Sequence, residues 1–331
     1  MFKLPINSVR KLNLISKENL KSIVFIVAGL EGNCECFQGL AEQLQRQFIQ
    51  VFALEYSNDV PTDSVESISK YYIKIIETEL LDLNISSFNL AGYSYGGLIS
   101  LEICRQLEIN KKLKIENLII IESSHTFFRY GVHSNSKEFG MCITNEDIFL
   151  DQKVYTGTLS IYLSYLVGAS DKKFRLDLYK FLNNQPIQNL DEALDKSFSY
   201  IISNGFFEFD NEKDILEKKL YIKNLMLKSN AALVYTYDTS LKLQTKLSLI
   251  KTKIPLYKDF NLFYLDTNGQ KFKLNFNLED FDLKEIILNL ENFKIFILSN
   301  GNHFTFPYES PYELTQFFLS LIMNNHATSK I

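Results

Sequence analysis

The chain has 331 residues, of which 46% are hydrophobic and 22% charged, so it can form a large apolar core and is not disordered throughout. Its formal net charge of −4 lacks the basic excess of nucleic-acid-binding proteins, and its four cysteines are too few for a disulfide framework. No apolar run approaches the ~20 residues of a transmembrane helix, and the N-terminus lacks a signal-peptide core. We therefore expect a cytoplasmic protein that binds no nucleic acid and spans no membrane.

Strand and helix patterns alternate over the first third of the chain. Short runs of β-branched and aromatic residues predict strands at 21–27, 48–54, 88–91 and 117–121. Apolar residues at helical spacing predict helices between them, at 35–46, 64–80 and 96–107. This alternation is typical of a parallel sheet with helices packed against it.

The pattern changes at about residue 127. Up to residue 230 the sequence predicts only helices, at 149–166, 174–182, 190–202 and 215–227. Such a block inserted into a sheet protein indicates an all-helical lid at 127–230. Strands are predicted again at 244–250 and 293–298, before a final helix at 312–323. Asn268-Gly269 lies between two apolar runs and predicts a β-hairpin over 262–276, because both residues tolerate positive φ.

The pentapeptide Gly92-Tyr93-Ser94-Tyr95-Gly96 lies directly after a predicted strand and before a predicted helix. That is the context of the G-x-S-x-G nucleophile elbow, in which the serine occupies a tight turn and the glycines prevent collisions. Ser94 is therefore a candidate nucleophile. The alternative is an ordinary strand–helix turn that happens to contain glycine and serine.

The segment around this motif, FNLAGYSYGGLISLEICRQLE, resembles the nucleophile segment of the thioesterase domain of animal type I fatty acid synthase. Ordered matches continue at 28–32, 61–64, 118–126 and 299–305. The resemblance implies an α/β-hydrolase fold with a mostly parallel central sheet over 21–126 and 231–325. It also makes residues 1–20 similar to the linker that joins carrier and thioesterase in the synthase.

The same resemblance implies the catalytic roles. Ser94 matches the nucleophile, and His303 matches the general base, since it follows the last predicted strand and precedes the final helix. Glu122 takes the place of the family's aspartate, and Asp259 or Asp266 is the alternative acid. The backbone N–H groups of Tyr95 and Leu30 match the oxyanion-hole donors.

The substrate site is less well defined by the sequence. Candidate wall residues for an acyl groove lie in the predicted lid: Tyr162, Leu163, Leu166, Phe198, Ile201 and Ile202. The alternative is that these residues simply pack the lid helices on the sheet. Phe304 follows the histidine where the family has a basic residue, so an ion pair there, for example with Glu31, is lost. Cys34-x-Cys36 is too short and isolated for a zinc site, and no metal is expected.

The resemblance implies hydrolysis of a long-chain acyl thioester to a free fatty acid. The substrate would be carried on the phosphopantetheine arm of an acyl carrier protein, in the same polypeptide or synthase, and no separate cofactor is implied. Two other functions remain open. One is a different serine hydrolase, such as a polyketide-type thioesterase or a lipid esterase. The other is a catalytically decayed acyl-binding module.

Overall fold

The structure is a computed structural model that describes residues 4–128, 152–168, 172–253, 262–265, 271–274 and 277–327. Residues 172, 262–265, 271–274 and 324–327 are described by their backbone alone. The described residues divide into two compact units. One contains the parallel sheet. The other contains the helices between 152 and 234 together with a two-stranded hairpin.

The first unit is built on a seven-stranded sheet in the order β1-β3-β2-β4-β5-β6-β9. All neighbouring strands are parallel except β1, which pairs antiparallel with β3. The strands are β1 Val9–Lys11, β2 Ser22–Val27, β3 Ile49–Leu54, β4 Ser87–Tyr93, β5 Lys114–Ile121, β6 Leu247–Thr252 and β9 Phe293–Leu298.

The central strands are buried on both faces, which explains their continuous apolar sequences. Every residue of β3 is buried, as are five of the six residues of β2. At the centre of this core, the rings of Phe25 and Phe52 stack with centroids 4.8 Å apart. Phe88 of β4 contacts Phe25 edge-on at 5.5 Å. Burial of such rings supplies much of the driving force for forming the sheet.

The helices of the first unit are α1 Gln38–Gln45, α2 Val65–Leu83, α3 Tyr95–Asn110, the short α8 Phe306–Glu309 and the C-terminal α9 Pro311–Ala327. Helix α2 begins where Ser64 caps it, since the Ser64 hydroxyl accepts a hydrogen bond from the N–H of Ser67 at 3.1 Å. The helix ends at Asn84, which has a left-handed backbone with φ of 57°.

The second unit contains α4 Gln152–Leu166, α5 Lys172–Asn183, α6 Leu190–Ser203 and α7 Glu212–Val234, together with the antiparallel strands β7 Leu262–Leu265 and β8 Lys271–Leu274. Asparagine side chains cap two of these helices. Asn189 accepts from the N–H of Glu192 at 2.9 Å, and Asn211 accepts from the N–H of Asp214 at 3.0 Å. None of the helices described here has both the length and the apolar character needed to cross a bilayer.

The structure confirms the predicted α/β class, with element boundaries shifted by a few residues. The hairpin strands form where they are predicted, whereas Asn268-Gly269 lies outside the described residues. The strand Val9–Lys11 is not anticipated by the sequence analysis, which treats 1–20 as linker-like. It is held at the sheet edge by pairing with β3 and by an ion pair of Arg10 with buried Glu55 at 2.8 Å.

Candidate active site

Ser94 occupies the one-residue turn between β4, which ends at Tyr93, and α3, which begins at Tyr95. Its backbone has φ of 53° and ψ of −122°, a conformation that non-glycine residues rarely adopt. The Ser94 N–H donates to the carbonyl of Ile121 at 2.9 Å, and its carbonyl accepts from the N–H of Gly97 at 2.9 Å. The strained serine is thus fixed between β5 and the first turn of α3, as expected of a nucleophile elbow.

The glycines around Ser94 are required by close backbone contacts. A Cβ atom on Gly92 would lie 2.2 Å from the carbonyl oxygen of Gly96. A Cβ atom on Gly96 would lie 2.3 Å from the carbonyl oxygen of Val27, at the end of β2. These distances show that the first turn of α3 packs directly on the ends of two strands. The glycines therefore let the elbow sit at the carboxyl edge of the sheet.

His303 lies in the loop between β9 and α8, and its side chain is only 3% exposed. Its Nε2 atom is 3.0 Å from the Ser94 hydroxyl oxygen, although the two residues are 209 positions apart. Two rings lie beside the imidazole at low interplanar angles, Phe127 at 5.6 Å and Tyr93 at 5.3 Å. Phe304 contacts it edge-on at 5.1 Å and is itself 60% exposed.

Glu122 directly follows β5 and is almost completely buried. Its Oε2 atom lies 3.4 Å from Nδ1 of His303, and its Oε1 atom accepts a hydrogen bond from the N–H of Thr252. The backbone of Glu122 has φ of 50°, and its N–H donates to the carbonyl of Ile250 at 2.9 Å. The contact with His303 is longer than an ordinary hydrogen bond, a common feature of catalytic groups without substrate.

The structure therefore brings together three residues that the sequence analysis selects as nucleophile, base and acid. The alternative acids Asp259 and Asp266 lie outside the described residues. The arrangement has the order of an activated serine: a hydroxyl beside one imidazole nitrogen and a carboxylate beside the other. With Nδ1 protonated and facing Glu122, Nε2 can accept the serine proton.

The candidate oxyanion donors lie directly after Ser94 and in the segment that follows β2. Tyr95 is the first residue of α3, so its N–H is among the helix donors that have no intrahelical acceptor. Leu30 lies in a turn after β2, closed by a hydrogen bond from the N–H of Gly32 to the carbonyl of Gly29 at 3.0 Å. Gly32 has φ of 91°, which suits glycine. The Glu31 carboxylate lies against Gly29, 2.7 Å from where a Cβ atom would be.

The candidate groove residues belong to the helical unit. Four of them are buried in its apolar core, each at most 2% exposed: Leu163, Leu166, Phe198 and Ile201. Ile202 is 48% exposed. Tyr162 is half-buried, and its hydroxyl hydrogen-bonds to that of Ser229. These four apolar side chains thus belong to the buried core of the helical unit.

The nearby thiols do not resemble nucleophiles. Cys34 is fully buried, and burial raises the pKa of Cys36 to about 12, with a smaller contribution from the negative charge of Glu31. Both side chains therefore remain protonated at neutral pH. Among the described residues, no group of three or more His, Cys, Asp or Glu side chains is arranged to hold a metal ion.

Three contacts of the site are absent from the sequence predictions. Tyr93 donates its hydroxyl to the backbone carbonyl of His303 at 2.7 Å. Phe127 lies against the imidazole, and Thr252 binds the carboxylate of Glu122. Tyr93 lies within the elbow motif, but at a position where the motif specifies no residue. The other two are revealed only by the pairing of distant strands and loops.

Comparison with known proteins identifies a family relationship for part of the chain. Residues 22–140 match the family model described as "Thioesterase domain". This stretch contains the elbow and Glu122. The polyketide synthase PksR of Bacillus subtilis (strain 168) is 31% identical over 103 residues, which are 31% of this chain. The chain spans 4% of the length of that relative.

Solved structures extend the comparison to the whole fold. The type II thioesterase BorB from the borrelidin biosynthetic cluster superposes with a TM-score of 0.54 and 12% identity, covering 95% of this chain and 97% of that one. The four-domain nonribosomal peptide synthetase AB3403 gives a TM-score of 0.62 at 14% identity, covering 96% of this chain and 20% of the other. These likenesses concern the fold, an α/β architecture with a mostly parallel seven-stranded sheet flanked by helices.

Proposed function

We propose that this protein is a serine thioesterase that releases a chain held as a thioester on the phosphopantetheine arm of a carrier protein. The observation that carries the proposal is the connected series of side chains in which His303 lies between Ser94 and Glu122. The partial match to the thioesterase family supports the same chemistry. In this proposal the protein needs no cofactor of its own, because the pantetheine arm arrives with the substrate.

The reaction would proceed in two steps, acylation of Ser94 and hydrolysis of the acyl ester. First, the Ser94 oxygen attacks the thioester carbonyl while His303 takes the serine proton. The tetrahedral intermediate, stabilised by the N–H groups of Tyr95 and Leu30, collapses by breaking the carbon–sulfur bond. His303 returns its proton to the departing thiolate, which leaves an acyl ester on Ser94. His303 then deprotonates a water molecule that attacks this ester, and the free acid departs as Ser94 recovers its proton.

For the acyl chain, a polyketide-type product is the better supported choice. The curated relative is named a polyketide synthase, and one of the compared structures is a type II thioesterase from the borrelidin biosynthetic cluster. Release of a long-chain fatty acid is the second candidate, because the segments around Ser94, Glu122 and His303 resemble those of the animal fatty acid synthase thioesterase. In either case we propose that the partner is a carrier protein of a multidomain synthase.

The test is hydrolysis of pantetheine thioesters by the purified chain, measured as the rate at which the thiol is released. One set of substrates should carry unsubstituted long acyl chains and another β-hydroxylated, polyketide-like chains. Oxygen esters of the same acids test a lipid esterase. Ser94→Ala should lose about 10⁴-fold or more in kcat, since the serine forms the covalent bond. Ser69→Ala is the control, because Ser69 is a buried serine of α2 whose hydroxyl donates to the carbonyl of Ile99.

Each outcome decides between the candidates. Preference for β-hydroxylated thioesters supports the polyketide-type assignment, and preference for unsubstituted long chains supports fatty acid release. Equal turnover by wild type and Ser94→Ala on every substrate contradicts the thioesterase proposal. A fluorophosphonate probe, which forms a covalent bond with an activated serine, should label the wild type and Ser69→Ala but not Ser94→Ala. Failure to label the wild type would indicate a decayed site.

A further inference from the structure

We propose that Tyr93 is a positioning residue that holds the loop of the general base against the nucleophile strand; this inference rests on the proposed function. Tyr93 is the last residue of β4 and immediately precedes Ser94. Its side chain is 3% exposed, and its hydroxyl donates to the backbone carbonyl of His303 at 2.7 Å. Tyr93 thus connects the end of β4, directly before Ser94, to the loop that carries His303.

The loop that carries His303 also forms hydrogen bonds to other described parts of the fold. At its start, the N–H of Ser299 donates to the Glu313 carboxylate at 2.8 Å, which ties the loop to α9. The hydroxyl of Ser310 donates to the carbonyl of Asn300 at 3.1 Å. Both contacts attach the loop to the C-terminal helices. The hydrogen bond from the Tyr93 hydroxyl, by contrast, attaches His303 itself to the end of β4.

The Tyr93 ring is in turn held in place by its surroundings. Phe37 contacts it edge-on at 5.7 Å and Phe306 at 5.6 Å, while the imidazole of His303 lies at 5.3 Å. Burial raises the pKa of Tyr93 well above its usual range, so the hydroxyl stays protonated and remains a donor. Because the ring is held in place, its hydroxyl fixes the position of the His303 carbonyl and therefore of the His303 backbone.

This placement matters because proton transfer from Ser94 depends on a single short contact. The Nε2 atom of His303 is 3.0 Å from the Ser94 oxygen. Displacing a catalytic group by about 1 Å can cost about 10²-fold in rate. Without the Tyr93 hydroxyl, the His303 carbonyl loses its donor and the loop can relax away from the elbow. The expected loss is in kcat rather than KM, since the Tyr93 side chain is buried and its hydroxyl donates to the His303 carbonyl.

The test is Tyr93→Phe, which removes one oxygen and keeps the ring. Tyr72→Phe is the matched control, because the Tyr72 hydroxyl is also buried and donates to a backbone carbonyl, that of Glu55, at 3.0 Å. Both variants should lose similar thermal stability. Only Tyr93→Phe should lower kcat, by about 10- to 100-fold with KM nearly unchanged, and slow fluorophosphonate labelling of Ser94 to a similar degree. Equal kcat and labelling rates in the two variants would overturn the proposal.

A spectroscopic measurement separates this inference from the proposed function. The imidazole nitrogens of His303, assigned in ¹⁵N NMR spectra with the help of His303→Gln, should shift in Tyr93→Phe and stay unchanged in Tyr72→Phe. This readout requires neither turnover nor labelling. A wild type that hydrolyses no thioester while the shifts occur as expected contradicts the proposed function alone. Active wild type with unshifted His303 signals in Tyr93→Phe contradicts the role of Tyr93 alone.

Discussion

Replacing Glu122 by glutamine tests whether this residue orients the general base. The two carboxylate oxygens have different partners, Nδ1 of His303 at 3.4 Å and the N–H of Thr252. Both partners present N–H groups when the imidazole is in its catalytic tautomer. A glutamine amide has only one acceptor oxygen, so its NH₂ group must face one of them. If it faces His303, the imidazole proton is driven to Nε2, where it blocks acceptance of the serine proton.

The expected loss follows from that change of tautomer. Disruption of the orienting carboxylate in a serine triad lowers kcat by about 10⁴-fold, and we expect Glu122→Gln to lose about 10³- to 10⁴-fold, or about 4 to 5.5 kcal/mol of transition-state stabilisation. Glu122→Asp keeps the charge but shortens the side chain by about 1.5 Å. From the same backbone position, the shorter carboxylate cannot hold both partners at their present distances. We expect an intermediate loss of about 10²-fold.

Steady-state thioester hydrolysis and fluorophosphonate labelling measure both losses. Glu102→Gln is the matched control, since Glu102 is also a buried glutamate but binds Arg105, three residues further along α3, at 2.6 Å. It should change stability while leaving kcat within about threefold of the wild type. If Glu122→Gln also stays within threefold, another group orients His303, and the reasoning is refuted. Asp259 and Asp266 would then be the next residues to replace.

Two further predictions concern packing and thiol chemistry. Gly96→Ala should lower the melting temperature strongly, because its methyl group would lie 2.3 Å from the carbonyl oxygen of Val27. Gly39→Ala should raise it slightly, because a Cβ atom there would have no tertiary neighbour within 4 Å and alanine favours the helix α1. Equal shifts in melting temperature would contradict the close contact at Gly96. At pH 8, iodoacetamide should alkylate Cys36 in the native protein about 10³-fold more slowly than a free cysteine, because burial raises the pKa of Cys36 to about 12. Mass spectrometry of the tryptic peptide measures the extent of alkylation. Rapid modification would show that the thiol is not desolvated.

The sheet is predictable from sequence where strand propensity and burial agree. The run NLIII in β5 contains three β-branched isoleucines and is buried, so its pattern predicts the strand directly. The end of β4 is different, because Gly92-Tyr93 has no such pattern and is extended by pairing of Gly92 with Val27. Strand β1 is polar and only three residues long. Its conformation comes from pairing with β3, which no local signal encodes.

The candidate site shows the same division between local and distant information. Ser94 is predictable because the elbow is a continuous motif whose glycines answer a local steric requirement. His303 and Glu122 are selected by resemblance and by their place after strands. The bond from Tyr93 to His303 joins residues 210 positions apart. Such a contact depends on how the sheet and the last loop are assembled, so the sequence alone gives no sign of it.

The reacting groups all come from segments before residue 129 or after residue 235, although the helical unit separates them in the chain. Strands β5 and β6 are adjacent and in register, Leu118 opposite Leu247, despite that long interruption. The entropy of closing a loop rises only slowly with its length, by about 0.6 kcal/mol for each doubling. The intervening helices can therefore be lengthened, shortened or exchanged between relatives at little thermodynamic expense. The length of the helical segment can thus vary while the contacts among Ser94, His303 and Glu122 are kept.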